Sequence, residues 1–393
     1  LGIFFIKYKI INEVVRLFRC NIKLMQSNKV AFIFLITIVI SCTPDEGVLV
    51  PITIEELDEL IGVLPDQVID PIDNPTTPDK VDLGKKLFWD PVLSGNFDVA
   101  CATCHHPDKG WGDNLNRSIG VGGIGLGENR IGGIAVKRNA HTIINSAFNG
   151  IDVNGNYNPS NTVMFWDNRV MSLEEQSLVP IKSMEEMRGN IYSEEDAITI
   201  VSQRLIDIPE YVVLFNNAFG DNTIIDGDKI SKAIAAYERT LIANNSRFDQ
   251  YYSGDNNALS DIELQGLSAF IAMNCTACHG GPMFSDYELH DLGTPNDGVN
   301  DNGVNGQFRT PTLRNLSLTG PYFHNGTFTT LEEAVNFYDD FEQNDADAQS
   351  LNFDDDQVGA VVAFLRTLND DNFDRTIPEN VPSGLSVGGN IND

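Results

Sequence analysis

Cys101-Ala102-Thr103-Cys104-His105 recurs in the second half of the chain as Cys275-Thr276-Ala277-Cys278-His279. Cys-x-x-Cys-His is the attachment pattern of c-type haem: the two thiols bond the porphyrin vinyl groups and the adjoining imidazole becomes an axial iron ligand. A single copy would leave a zinc site or a redox pair open. Two complete copies, far apart, make the chain two haem modules. The expected cofactors are therefore two covalent haem c groups, one on Cys101, Cys104 and His105 and one on Cys275, Cys278 and His279.

The remainder of the chain fits that frame. Its 393 residues have room for two domains after allowance for termini, and 42% hydrophobic with 9% aromatic residues is a globular composition. Acidic residues number 56 against 26 Lys and Arg, which argues against nucleic acid or anionic lipid as partners because both would be repelled. Solubility or a salty habitat is the simpler reading of the charge, ahead of a docking field for a basic redox partner.

Four of the six cysteines lie in the haem motifs, which leaves Cys20 and Cys42. Met25 to Lys29 is a short basic segment, Val30 to Ile40 an apolar one too short to span a membrane as a stable helix, and Ser41-Cys42 follows. This resembles a bacterial lipoprotein signal, with Cys42 lipidated as the first mature residue; an ordinary signal peptide or a membrane anchor is the alternative. Residues 1–41 are then a signal with an over-extended start. Their removal takes away six basic residues and one acidic residue and leaves 20 against 55. The expected location is the bacterial cell envelope, as a lipoprotein facing the periplasm, and export agrees with covalent haem attachment.

Residues 42–78, rich in Pro, Asp and Ile with one amphipathic patch at Ile54 to Ile61, read as a tether. Residues 79–245 form a first haem domain, 246–369 a second, and 370–393 a loosely ordered tail. Helical patterns cover 82–89, 173–176 and beyond, 193–205, 228–243, 260–273, 331–341 and 355–367, with Asp228 and Ser260 as N-caps and Ser260 to Glu263 in capping-box form. Period-two strands are scarce, so the fold class is mainly α: two cytochrome c-like haem domains with the active site and inter-haem region between them. Gly120-Val121-Gly122-Gly123-Ile124-Gly125 satisfies G-x-G-x-x-G, but no strand precedes it and no βαβ unit encloses it, so it reads as a flexible loop. The Asn/Asp/Gly-rich 285–310 lacks the terminal glutamate of a calcium-binding hand and reads as a solvated loop.

Haem iron needs a second axial ligand or an open site, and that choice divides electron carriers from catalysts. Besides His105 and His279 the chain has His106, His141, His290 and His324. His106 adjoins a ligand and cannot easily reach the opposite face; for the others a supporting or core role competes with ligation.

Further motifs give the chain a familiar order: Leu93-Ser94-Gly95, Arg138-Asn139-Ala140, Phe165-Trp166-Asp167-Asn168-Arg169, Glu175-Gln176, Pro180-Ile181 and Glu186-Met187, then Ala236-Tyr237-Glu238-Arg239-Thr240-Leu241, Ser246-Arg247-Phe248-Asp249, Pro311-Thr312-Leu313-Arg314-Asn315 and Pro321-Tyr322-Phe323-His324-Asn325-Gly326. From Leu83 to Leu368 the chain resembles the bacterial di-haem cytochrome c peroxidases, a superfamily that includes MauG. The resemblance implies peroxide reduction at the His105 haem and electron entry and storage at the His279 haem. It implies Trp166 between the haems, as relay rather than mere core, and Gln176, Pro180 and Glu186 in the distal pocket. Splitting an O–O bond requires a proton moved from one oxygen to the other, which a poised carboxylate can do; outside this context Glu186 would be an ordinary helix charge. The resemblance also implies a calcium ion held by the Asn139 side chain and the carbonyls of Thr319 and Pro321.

Two positions depart from the peroxidase pattern. The loop whose histidine caps the first iron in resting peroxidases reads Ile119-Gly120-Val121 here, so that iron is expected to be open, as in the MauG branch, unless His141 substitutes. The methionine expected on the second iron is replaced by Tyr338, an anionic, harder ligand that lowers the haem potential; packing in an amphipathic helix is the alternative role. The resulting expectation is a di-haem peroxidase that reduces hydrogen peroxide to water with electrons from a small c-type cytochrome or cupredoxin. A MauG-like peroxide-dependent oxidase of a protein or organic substrate, and a non-catalytic di-haem carrier, remain alternatives, as does a homodimer.

Overall fold

A computed structural model describes residues 21–22, 40–41, 54–295, 297–338 and 355–392. Eleven α-helices carry these residues: α1 (Ile54–Leu60), α2 (Pro78–Trp89), α3 (Cys101–Cys104), α4 (Leu173–Lys182), α5 (Ala197–Ile206), α6 (Pro209–Phe219), α7 (Gly227–Glu238), α8 (Arg247–Tyr252), α9 (Asp261–Ala272), α10 (Leu331–Asn336) and α11 (Asp355–Arg366). The described strands are two residues long and pair only as isolated antiparallel hairpins, one of them Asn21–Ile22 with Ile40–Ser41. The fold is mainly α. No helix among the described residues is long and apolar enough to cross a membrane.

Each haem motif has its own core, built on a helix crossing. In the first, α2 presents Leu83, Leu87 and Phe88 to Ile230, Ile234 and Tyr237 of α7. Each such apolar side chain contributes about 1.5–3 kcal/mol when fully buried. Gly84 lets the two backbones touch: a Cβ there would lie 1.9 Å from the carbonyl oxygen of Ala233 and 2.9 Å from Cβ of Tyr237. In the second core α9 crosses α11 by the same device, since a Cβ on Gly266 would lie 1.9 Å from the carbonyl oxygen of Ala360 and 2.8 Å from Cβ of Phe364. Phe248, Phe270, Phe284 and Phe364 fill that core with edge-on and tilted ring contacts.

Helix ends follow local chemistry. Pro78 opens α2 behind Thr77, whose hydroxyl accepts from Lys80 N. Ser260 and Glu263 form the expected capping box on α9. The cap of α7 is Asp226 rather than Asp228: its carboxylate accepts from Lys229 N at 3.0 Å, and Asp228 lies one residue inside the helix, in ion pairs with Lys229 and Lys232. Helix α7 ends at Glu238, short of the expected 243. Helices α6 and α8 carry no signal picked up from the sequence.

Three expectations change. The stretch read as a tether is packed from α1 onward: Leu57 and Ile61 are fully buried in the second core, Leu64 packs against Phe148 and Met283, and the buried Asn74 donates to Glu174 of α4 and the Lys232 carbonyl of α7. The amphipathic patch is a docked helix because its apolar face has a core to enter; residues 42–53, with Cys42, lie outside the described residues, as does Cys20. The tail returns to the first module instead of hanging free. Ser383 Oγ donates to Asp90 at 2.7 Å, Gly388 N to the Trp89 carbonyl at 2.8 Å, and Trp111 Nε1 to the Asp374 carbonyl at 3.1 Å. Lastly, the glycine-rich loop is pinned: Arg130 donates to the carbonyls of Ile119, Gly120 and Gly125 and holds the hairpin Gly123–Ile124 against Ile131–Gly132.

Candidate active site and inter-haem region

The two motifs are presented alike. Residues 101–104 form one helical turn and residues 275–277 a tighter one, and in each the histidine N–H closes on the first cysteine carbonyl, at 3.0 Å for His105 and 2.8 Å for His279. None of the four cysteines is in a disulfide. His105 Nδ1 lies 3.1 Å from the Trp111 carbonyl and His279 Nδ1 lies 3.0 Å from the Phe284 carbonyl. A carbonyl only accepts, so Nδ1 carries the hydrogen and Nε2 is left to ligate iron. Two thiols and an imidazole held in this tautomer fit haem c in both halves.

Above the first motif the protein encloses a cavity of ≈ 520 Å³, lined by Cys101, Cys104 and His105 and also by Trp166, Gln176, Pro180 and Glu186. Gln176 and Pro180 are four residues apart on α4 and so share a face. Helix α4 ends at Ser183, and Met184–Arg188 follow as a π-turn, with Ser183 Oγ accepting from Glu186 N at 3.3 Å. Wide turns of this kind occur often at functional sites. This one delivers Glu186 into the cavity, where its Oε2 is buried without a hydrogen-bond partner. Burial raises its pKa above the ordinary glutamate value, against the opposing charge of Arg169.

The loop at Gly120 packs directly beneath that turn. Val121 N donates to the Glu185 carbonyl at 3.2 Å, and a Cβ on Gly120 would lie 2.0 Å from the same oxygen. Only glycine permits this approach, so the segment that might have carried a capping histidine is occupied by backbone. Among the described residues, His105 and His141 are the only histidines on the cavity wall. His141 is engaged elsewhere: its ring stacks on Trp166 with centroids 4.1 Å apart, and its Nε2 lies 3.4 Å from Arg309 Nη2. The structure therefore gives His141 a partner other than iron.

Trp166 gathers contacts from several segments at the cavity wall. Its Nε1 donates to the Asn139 carbonyl at 3.0 Å and its own carbonyl accepts from Arg309 N at 2.7 Å. On its other side it meets His324 edge-on at 6.3 Å, and His324 stacks on Phe308 at 3.6 Å. Arg309 is a residue that sequence reasoning missed. Its guanidinium is buried, reaches the Val163 carbonyl at 3.5 Å and His141, lies over the Tyr287 ring at 5.8 Å and keeps an orphaned Nε. Burial lowers its pKa to about 10. An arginine facing this cavity with only the charge of Asp167, outside ion-pair contact, to oppose it suits the carboxylates a haem would bring, since a buried cation needs a counter-charge.

The sequence model of di-haem cytochrome c peroxidases matches residues 78–257 and that of cytochrome c matches 264–369. Methylamine utilization protein MauG of Methylorubrum extorquens is 33% identical over 334 residues, covering 80% of this chain and 85% of that protein. The chain belongs to the di-haem cytochrome c peroxidase family. Cytochrome c551 peroxidase of Nitrosomonas europaea is 34% identical over 79% of this chain and 85% of its own. A solved MauG-like protein associated with microbial copper homeostasis superposes with a TM-score of 0.65 at 25% identity, covering 78% of this chain and 95% of that one.

As a di-haem peroxidase the chain carries its remaining candidates as follows. Tyr338 follows α10, tilted against Phe323 at 6.2 Å. Burial pushes its hydroxyl pKa up, and the charges of Cys275 and Cys278 push it further, so it stands beside the second haem motif. Asn139 Nδ2 donates to the Leu115 carbonyl at 2.8 Å, so of its amide only the oxygen could face a cation. Thr319 and Pro321 would add backbone carbonyls. An all-oxygen set of this kind fits calcium.

Proposed function

We propose that this di-haem peroxidase reduces hydrogen peroxide in the cavity above His105, with electrons arriving through the His279 module. The observation that carries this reading is the Glu186 carboxyl, whose buried Oε2 has no hydrogen-bond partner, facing the same cavity as Gln176, Pro180, Cys101, Cys104 and His105. A haem bound through Cys101, Cys104 and His105 supplies the iron at which peroxide accepts two electrons. Glu186, as carboxylate, takes the proton from one peroxide oxygen and returns it to the other, so that the bond breaks toward water rather than hydroxide. Gln176 orients peroxide through its amide, and Pro180, with no N–H to offer, keeps that wall apolar. Two protons and two electrons convert one peroxide to two waters. Trp166 would lie on the path of those electrons, and Tyr338 would help to hold the iron of the other haem. Asn139, Thr319 and Pro321 would hold calcium.

The donor in this reading is a small c-type cytochrome or cupredoxin. Lipidation of Cys42 would anchor the enzyme to the cell envelope on the periplasmic side, and a homodimer is compatible with the reading. A second reading, peroxide-dependent oxidation of a protein or organic substrate in the manner of MauG, is favoured by Val121 where a capping histidine would stand and by Tyr338 in place of methionine. Electron paramagnetic resonance of the ferric protein tests both against a mere carrier. The expected spectrum has one high-spin haem that responds to peroxide and one low-spin haem that changes in Tyr338→Phe. Two low-spin signals indifferent to peroxide would sink both enzymatic readings. Steady oxidation of reduced cytochrome c by peroxide supports the peroxidase; its absence, with a long-lived oxidised di-haem species, supports the second reading.

A further inference from the structure

Of the three tryptophans, Trp166 is the one with a ring stacked on its face. Among the described residues Trp89 and Trp111 meet their aromatic neighbours edge-on, whereas His141 lies on Trp166 at 4.1 Å with planes 26° apart. Two features fix the state of this pair. Arg309 can only donate, so His141 Nε2, 3.4 Å from its Nη2, is an acceptor and the ring hydrogen sits on Nδ1. The imidazole is therefore neutral, held between a buried guanidinium and the indole. The indole N–H points away from it, to the Asn139 carbonyl at 3.0 Å, a weak base that leaves the proton on the ring.

We propose that His141 is a positioning residue for electron passage between the haems: its neutral stacked ring holds the Trp166 indole in one orientation and stabilises it while it is one electron short. The inference rests on the relay role given to Trp166 above. In each passage the indole yields one electron toward the His105 side and regains one from the His279 side. No bond breaks, Nε1 keeps its proton, peroxide is the final acceptor and the donor protein the source. Stacked aromatic pairs are held by ring-on-ring attraction beyond simple area burial, and a ring that has lost an electron interacts more strongly with a neutral π neighbour than with an aliphatic one.

The test uses the loaded, fully reduced enzyme mixed with peroxide, with oxidation of the second haem followed by stopped-flow absorbance. His141→Leu is expected to slow that phase about tenfold, equivalent to about 1.4 kcal/mol, and His141→Phe to restore it; the initial reaction of the first haem with peroxide should stay unchanged in both. His141→Gln serves as the non-aromatic variant if the leucine protein does not load haem. Trp166→Phe separates the two layers of the inference. If it slows the phase while His141→Leu and His141→Gln run at the wild-type rate, the role of His141 is overturned and the relay stands. If Trp166→Phe is also without effect, the relay itself is wrong and the role of His141 falls with it.

Discussion

The two haem modules share a frame and differ in what stands over the motif. In both, a glycine lets the helix before the motif touch its partner, Gly84 against Ala233 and Gly266 against Ala360, and in both a backbone carbonyl fixes the histidine tautomer. Over the first motif the chain inserts α4 and its π-turn, which leave a cavity with one unpartnered carboxyl oxygen, Glu186 Oε2. The second module places Tyr338 among Phe323, Phe328 and Phe337 near Cys275 and Cys278. Aligning the crossings through Tyr237 and Phe364 also sets Glu238, a buried carboxyl, opposite Leu365, a buried hydrocarbon. One frame thus serves two tasks: polar groups and open space make a reaction site, while a filled aromatic environment suits electron transfer.

The largest effect should come from removing the carboxyl that makes the modules unequal. Glu186→Gln should lower peroxide reduction by about 10²–10⁴-fold, the usual worth of a positioned acid–base group, with the spectrum of the second haem unchanged. In the wild type, activity should fall as pH drops through the raised Glu186 pKa, because a protonated carboxyl cannot accept the peroxide proton. That acid limb should lie above the ordinary glutamate range and be absent from the variant; an equal rate and profile in the two proteins would leave the modules without a catalytic distinction.

The shared frame is tested by making one change twice. Gly84→Ala and Gly266→Ala each put a methyl 1.9 Å from a carbonyl oxygen, so each should destabilise its own module by about 1–3 kcal/mol or more, as overpacked helix contacts do. Denaturation followed separately at the two haem signals would check this, and a response in one module alone would break the equivalence. The smallest effect concerns Glu238, which burial raises to about 8. Between the ordinary glutamate pKa of about 4.3 and this raised value the folded chain holds a proton that the unfolded chain has released. Stability should therefore decline as pH rises across that window and level off above it. Glu238→Gln should flatten the slope in urea titrations at several pH values, whereas Leu365→Val should leave it as it is.

Much of the helical frame was legible because caps and apolar spacing are local. Ser260 with Glu263, and Leu83, Leu87 and Phe88 on one face, need no knowledge of the rest of the chain. Helix α1 was visible only as a patch, because its partners Phe248, Leu267 and Phe364 lie far along the sequence. The return of the C-terminal segment to Trp89 and Asp90 left no mark at all, since it rests on single side chains such as Ser383 and on backbone pairs such as Gly388 N with the Trp89 carbonyl, neither of which makes a periodic pattern. At the site, Glu186, Gln176 and Trp166 came from family resemblance, whereas Arg309 looked like any other charge in the sequence.

Residue order by itself pointed to where haem would attach and which histidines would ligate iron, and determined that the chain is mainly helical, because thioether chemistry and helix formation act over a few neighbouring residues. Only the tertiary structure decided that Glu186 Oε2 and Arg309 are buried with no ion pair at contact distance among the described residues, that His141 lies on Trp166, and that α1 and the C-terminal segment are packed. Desolvation and stacking depend on everything within a few ångströms of a group, and those neighbours come from elements hundreds of residues apart.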